Sequence, residues 1–209
     1  MINEKKDVNK IDLSRRNVLK VAVAGLLAGV TAPVLSHLSS IHAAETATGG
    51  KNILITYYSR TGNTREIANH ILARVGGDIL ELQPVEPYPE DYEAVKDRAM
   101  QELNSGFKPA LKTKVEKIAS YDIIFVGSPI WWGTIAAPVK SFLSEYDLSG
   151  KTIVPFITHE GSGLGRSVRD ISKLCPKSIL LDGLAIWGNN AKTAQNDVAE
   201  WVRRLGVKE

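Results

Sequence analysis

Apolar residues beyond position 50 fall into short runs separated by polar, glycine-containing segments, and the runs alternate between two periodicities. Ile53, Leu54, Ile55 and Tyr57 sit in one compact stretch over 51–58, which predicts a buried strand. Gly62 breaks that pattern. From Asn63 the apolar positions take helical spacing through Ile67, Ala68, Ile71 and Leu72, until Gly76-Gly77 stops the helix. Further strands are predicted over 78–82, 123–127, 152–158 and 178–184, and further helices over 136–145, 164–174 and 193–205. Residues 84–114 are irregular: Pro84, Pro87 and Pro89 interrupt regular structure, and helical spacing returns over 91–103. Five strands alternating with helices predict an α/β domain, a doubly wound parallel sheet covered on both faces.

The first fifty residues follow a different plan. Some twenty polar and basic residues precede an apolar run over 21–35 and a small-residue stretch ending Ile41-His42-Ala43-Ala44. That is the order of a signal peptide. The run is too short to span a bilayer, and Gly25, Gly29 and Pro33 interrupt it. Ser14-Arg15-Arg16-Asn17-Val18-Leu19-Lys20 resembles a twin-arginine export motif, with Val18 where an aromatic is usual. The expected organisation is therefore a twin-arginine leader over 1–44, a linker over 45–50 and one domain over 51–209, exported to a periplasmic or other extracytoplasmic location. Membrane contact is expected only during export. A twin-arginine system carries folded proteins, so a noncovalent cofactor travels with its protein.

Charge follows the same division. Of 26 Lys and Arg and 23 Asp and Glu, six cations and three anions lie in the leader, leaving twenty of each in the remainder. A balanced domain lacks the basic footprint of a nucleic-acid binder or of a protein held on an anionic membrane. The single cysteine, Cys175, excludes an intrachain disulfide and reads as packing late in a helix. No metal site is expected.

Three segments at predicted strand ends carry candidate chemistry. Ser59-Arg60-Thr61-Gly62-Asn63-Thr64 joins the first strand to its helix. Such a turn aims free amides and the positive helix end at one point, which suits a phosphate without a lysine. The sequence lacks both the nucleoside-triphosphatase Lys-Ser/Thr pair and the three-glycine dinucleotide fingerprint. By itself the segment reads equally well as a capped polar turn. Ser128-Pro129-Ile130-Trp131-Trp132-Gly133-Thr134 follows the third strand at the carboxyl edge, where α/β sheets bind ligands. In extended chain the two tryptophans point opposite ways, one to the core and one free to offer a flat surface, though both could close the core. Thr158-His159-Glu160-Gly161-Ser162-Gly163-Leu164 follows the fourth strand. His159 is either a proton donor or a polar loop residue.

Taken together, these segments resemble the flavodoxin family across 51–205. The family's Ser/Thr-x-Thr-Gly-Asn-Thr loop is matched at Ser59, Thr61, Gly62, Asn63 and Thr64, with Arg60 as a departure from its usual lack of charge. The resemblance implies strand order 2-1-3-4-5 and FMN as cofactor, its phosphate wrapped by residues 59–64. It implies that Trp132 stacks on the flavin while the Gly133 peptide turns toward the reduced ring nitrogen. It also implies that Pro129, Ile130, Trp131 and Thr134 complete that loop, and that the amides of Thr158, His159, Glu160, Gly161, Ser162 and Gly163 meet the pyrimidine carbonyls. Leu164 or a neighbour stands where many electron carriers place a tyrosine, so the resemblance implies an open second flavin face. Together with Tyr88-Pro89 and Tyr92, these details resemble a bacterial subfamily of undefined substrate rather than the acidic carriers.

Three functions remain open at this point. One is electron transfer with a redox partner protein. Another is an FMN-dependent reductase passing hydride from a nicotinamide to a quinone-like acceptor. The third is a flavin-free binding module. Charge balance disfavours strong steering to a partner, and oligomeric state is not legible.

Overall fold

The structure, a computed structural model, describes residues 51–207. The expected leader and linker lie outside the described residues. In chain order the elements are β1 (Ile53–Tyr57), α1 (Asn63–Val75), β2 (Asp78–Glu81), α2 (Tyr92–Ser105), β3 (Ile123–Trp131), β4 (Thr134–Ile135), α3 (Ala137–Glu145), β5 (Thr152–His159), α4 (Ser167–Leu174), β6 (Ile179–Leu180), β7 (Leu184–Trp187) and α5 (Gln195–Leu205). The sheet runs β2-β1-β3-β5, and both β6 and β7 pair in parallel with the outer edge of β5. With β6 and β7 taken as one interrupted strand, and the antiparallel β4 set aside, this is the expected order 2-1-3-4-5.

The sheet differs from expectation in two places. β3 continues four residues past Gly127 and turns back on itself: Ile130 pairs with Ile135 and Trp131 with Thr134. The fifth strand is broken, and its second part ends at Trp187 rather than at Leu184. Pro155 explains the break. The Thr152 amide donates to Asp122 in the chain leading into β3, so by alternation the amide of residue 155 faces the fifth strand. Proline has none to offer, and pairing lapses between Ile153–Leu180 and Phe156–Leu184.

β1 is buried along its whole length, so its side chains supply two cores. Ile53, Ile55 and Tyr57 face one core with Ile67 and Ile71 of α1 and with Val198, Trp201 and Val202 of α5. Leu54 and Tyr58 face the other with Val139, Phe142 and Leu143 of α3 and Ile171 of α4. Each such side chain, fully buried, contributes roughly 1.5–3 kcal/mol. Helix α2 begins under an Asp91 side chain that accepts the Ala94 amide and ends at Gly106 in the left-handed region. Cys175 is buried beyond α4, and burial pushes its thiol up to about 11, as inert packing requires. No helix among the described residues is long and apolar enough to cross a membrane.

One row across the sheet tolerates no side chain at its centre. Gly127 lies between Tyr57 of β1 and Phe156 of β5, and a Cβ there would stand 2.2 Å from Phe156 Cζ and 2.7 Å from Tyr57 Cβ. Gly127→Ala is expected to destabilise the domain by about 1–3 kcal/mol, read as a lower urea midpoint. An unchanged midpoint would show that the row is not close-packed.

Candidate functional site

Among the loops that leave the carboxyl edge of the sheet are the four after β1, β3, β5 and β7. The first is organised by Ser59, whose buried Oγ accepts the amides of Gly62 (3.2 Å) and Arg65 (3.3 Å). Gly62 precedes α1 at φ 94°, a left-handed conformation that glycine adopts without strain. The amides of Thr61, Asn63 and Thr64 carry no hydrogen bond among the described residues, so they form an anion-receptive concavity at the positive end of α1. Thr61 is exposed, Asn63 half-buried and Thr64 buried. The Thr64 hydroxyl is tied to that of Thr158 at 2.8 Å, which links the first loop to the end of β5.

Arg60 does not reach into this concavity. Its guanidinium donates to the Glu90 carbonyl at 2.6 Å and fastens the loop to the proline segment. It lines two clefts: one of ≈ 470 Å³ with Tyr58, Gln83, Tyr88 and Lys112, and one of ≈ 230 Å³ with Tyr92, Lys96, Trp131 and Trp132.

The loop after β3 is a two-residue hairpin turn. Trp132 at φ 50° and Gly133 at φ 78° are both left-handed, the requirement of a type I′ turn, and Trp132 is the one described non-glycine residue with positive φ. The hairpin is fastened on several sides. The Ser128 Oγ accepts the Ala136 amide (2.9 Å), the Thr134 hydroxyl donates to Asp170 Oδ2 (2.6 Å), and the Trp132 indole donates to the Lys96 carbonyl (3.0 Å). At the tip, the Gly133 carbonyl accepts the Arg166 amide at 2.8 Å. Thr134 is thus buried against α4. Trp132 stays 43% exposed, its indole edge turned to α2. Pro129 and Ile130 are half-buried in β3. Trp131 packs edge-on to Tyr58 and Tyr88, with ring centroids 5.5 and 4.8 Å away.

In the loop after β5, His159 Nδ1 accepts the Gly161 amide at 2.9 Å, which puts the proton of a neutral ring on Nε2. Gly161 and Gly163 hold positive φ, and Ser162 is exposed. Glu160 accepts the Trp187 indole N–H at 3.1 Å. Gly188 is buried between this loop and the first: a Cβ there would lie 2.5 Å from Glu160 Oε1 and 2.6 Å from Asn63 Nδ2. The first, third and fourth loops therefore meet, while the hairpin joins through the 163–166 segment.

Sequence reasoning missed several contributors. Trp187-Gly188 repeats, at the last strand's end, the Trp-Gly pair of the hairpin, and that repetition was the available signal. Tyr58 and Tyr88 needed the fold to meet. Behind them, Glu102, only 6% exposed, accepts from the Tyr88 hydroxyl and from Arg98 Nε (2.9 Å), whose guanidinium lies 4.3 Å over the Tyr88 ring. Beneath the hairpin, burial pulls the Lys140 ammonium below its usual value, opposed by the Asp170 carboxylate.

A family profile described as flavodoxin matches residues 52–205. A provisionally assigned flavoprotein of Bacteroides eggerthii is 33% identical, with a TM-score of 0.68 over 76% of this chain and 100% of its own. A similar assignment from Bacteroides uniformis is 28% identical, with a TM-score of 0.67 over 74% and 99%. A Lactobacillus acidophilus flavoprotein solved in complex with FMN is 24% identical, with a TM-score of 0.59 over 69% and 98%; at that identity it shows the shared fold. No curated protein matches.

Burial raises the Tyr58 hydroxyl from 10.0 to about 12 and pushes the Tyr88 hydroxyl up as well, through burial first and then the bond to Glu102. Because the folded value lies above the unfolded one, the stability held by Tyr58 is complete below pH 10.0 and is lost as pH rises toward about 12. Alkaline unfolding curves should therefore fall across that window, and less steeply for Tyr58→Phe. Phenolate absorption from both tyrosines should appear only with unfolding. Free titration in the folded protein would remove the cluster from the site.

Proposed function

The chain belongs to the flavodoxin family, and from that premise we propose that it is an exported FMN-binding redox protein acting in electron transfer. The concavity formed by the unbonded amides of Thr61, Asn63 and Thr64 at the start of α1 carries the reading. Amides with no protein acceptor at a helix N-terminus suit a phosphate dianion, and the family match supplies the flavin attached to it. The residues present fit the group: Ser59 orders the loop, Gly62 takes the left-handed turn, and Thr64 is anchored to Thr158. The hairpin from Pro129 to Thr134, with Trp131 and Trp132, and the loop from Thr158 to Gly163 would hold the ring. When bound, FMN supplies reversible uptake of electrons at that ring. The chain's own part is to bind the phosphate, orient the ring and fix polar groups around it.

His159 holds its loop through Nδ1, which leaves Nε2 as the atom able to hold or give a proton beside the ring. Residues 1–44 support export, because the charged, apolar and small-residue segments stand in signal-peptide order around the Arg15-Arg16 pair. The acceptor is a redox partner protein or a small quinone-like molecule. The quinone reading gains from half-buried Leu164, which offers no aromatic cover to a second flavin face.

Riboflavin carries the same ring without the phosphate, so the pair separates the concavity from the ring contacts. The full-length chain should bind FMN about tenfold or more tightly than riboflavin, the scale of one hydrogen bond to a charged group. Flavin fluorescence quenching measures both. Equal affinities would remove the phosphate from this loop, and a wild-type chain that quenches no FMN would overturn the function.

A further inference from the structure

We propose that the loop leading into α4 clamps the Gly133 carbonyl, so that FMN held in this site takes up its electrons in pairs. The proposal rests on the FMN reading above and adds to it a constraint on how the cofactor is used. A flavin ring nitrogen that gains a proton on one-electron reduction turns from acceptor to donor. A nearby backbone carbonyl able to rotate toward it would favour that half-reduced form. In the FMN reading the hairpin holds the ring, which brings the carbonyls of its tip nearest to that nitrogen; both turn residues, Trp132 and Gly133, are held in the left-handed region.

In this chain the Gly133 carbonyl is already committed. It accepts the Arg166 amide at 2.8 Å, and rotating it away would leave that N–H at the N-cap of α4 without its partner. The neighbouring residue is moulded to the same oxygen: Gly165 holds φ +51°, and a Cβ there would stand 2.6 Å from Gly133 O and 2.7 Å from Ile130 Cδ1. The next residue is fixed as well, because the buried Thr134 hydroxyl donates to Asp170 on α4 at 2.6 Å. Both sides of the Gly133–Thr134 peptide are thus bonded to one helix and its lead-in. Turning the peptide requires breaking a backbone hydrogen bond and shifting a buried threonine. With the Gly133 carbonyl held by Arg166 and unable to turn to the half-reduced ring, oxidised FMN passes to the fully reduced form by gaining two electrons and one proton. The reverse step gives these up as a hydride equivalent to an acceptor of the quinone class. Arg166 and Gly165 are positioning residues here, acting through the Gly133 carbonyl.

The test is a stepwise anaerobic titration of the FMN-loaded full-length protein with dithionite, each molecule of which releases two electrons on oxidation to two sulfites, followed by absorption spectra. Arg166→Pro removes the donating amide at a position where no bond within α4 is lost, and Arg166→Ala keeps the amide while removing the side chain. Gly165→Ala displaces the carbonyl sterically and serves if the proline variant does not fold. Wild type and Arg166→Ala should pass from oxidised to reduced without the long-wavelength band of one-electron-reduced flavin. Arg166→Pro and Gly165→Ala should accumulate that form about five- to tenfold more, the scale of one net hydrogen bond. A wild type that accumulates it, or variants that accumulate no more than wild type, would overturn the clamp while leaving FMN binding intact. Flavin passing into the filtrate on ultrafiltration of the loaded wild type would instead overturn the FMN reading, and the clamp with it.

Discussion

The close approach of β1, β3 and β5 is the constraint on which the carboxyl edge depends. Tyr57, Gly127 and Phe156 share one row, and the glycine lets the Phe156 ring lie across the middle strand. That contact fixes where the three strands end relative to one another. The loops after them then emerge side by side, near enough for Thr64 to bond Thr158 and for Gly188 to fit between Asn63 and Glu160. Each link is a single short contact, so a small slip of register would undo several together.

The site so assembled combines open and committed polar groups. The amides at the start of α1 are open, as an anion site requires. The polar groups of the hairpin are bonded to α2, α3 and α4. Preorganised donors act without reorganising when charge arrives, while bonded carbonyls cannot be recruited without loss. The aromatic group of Tyr58, Tyr88 and Trp131, backed by the Arg98–Glu102 pair, adds a rigid wall beside the first loop. Arg60, the charge that sets this loop apart from the usual family pattern, is used for bracing through the Glu90 carbonyl.

Much of this was legible in the residues. The switch from compact apolar runs to helical spacing located β1 and α1 to within a residue or two, because burial on both faces leaves few choices for a short strand. The sequence pattern carries the third strand only to Gly127, because Pro129 and the paired tryptophans look like a loop, whereas in the fold Pro129 and Trp131 lie in a strand that turns back at Trp132 and Gly133. The interrupted fifth strand was read as one piece because its cause, Pro155, sits in the neighbouring strand.

The sequence by itself determined the alternation of strands and helices, the glycine-broken turn before α1, the balance of charge beyond residue 44 and the residue types at each strand end. These depend on local periodicity, backbone preference and composition, which neighbours in the chain are enough to set. The tertiary structure decided which polar groups stay free. Whether Thr64 meets Thr158, whether Arg60 faces the concavity or Glu90, and whether the Gly133 carbonyl is open or held depends on partners dozens of residues away. Hydrogen bonds are short and directional, so an identical motif is left open or closed by whatever the packing of distant segments brings within about 3 Å.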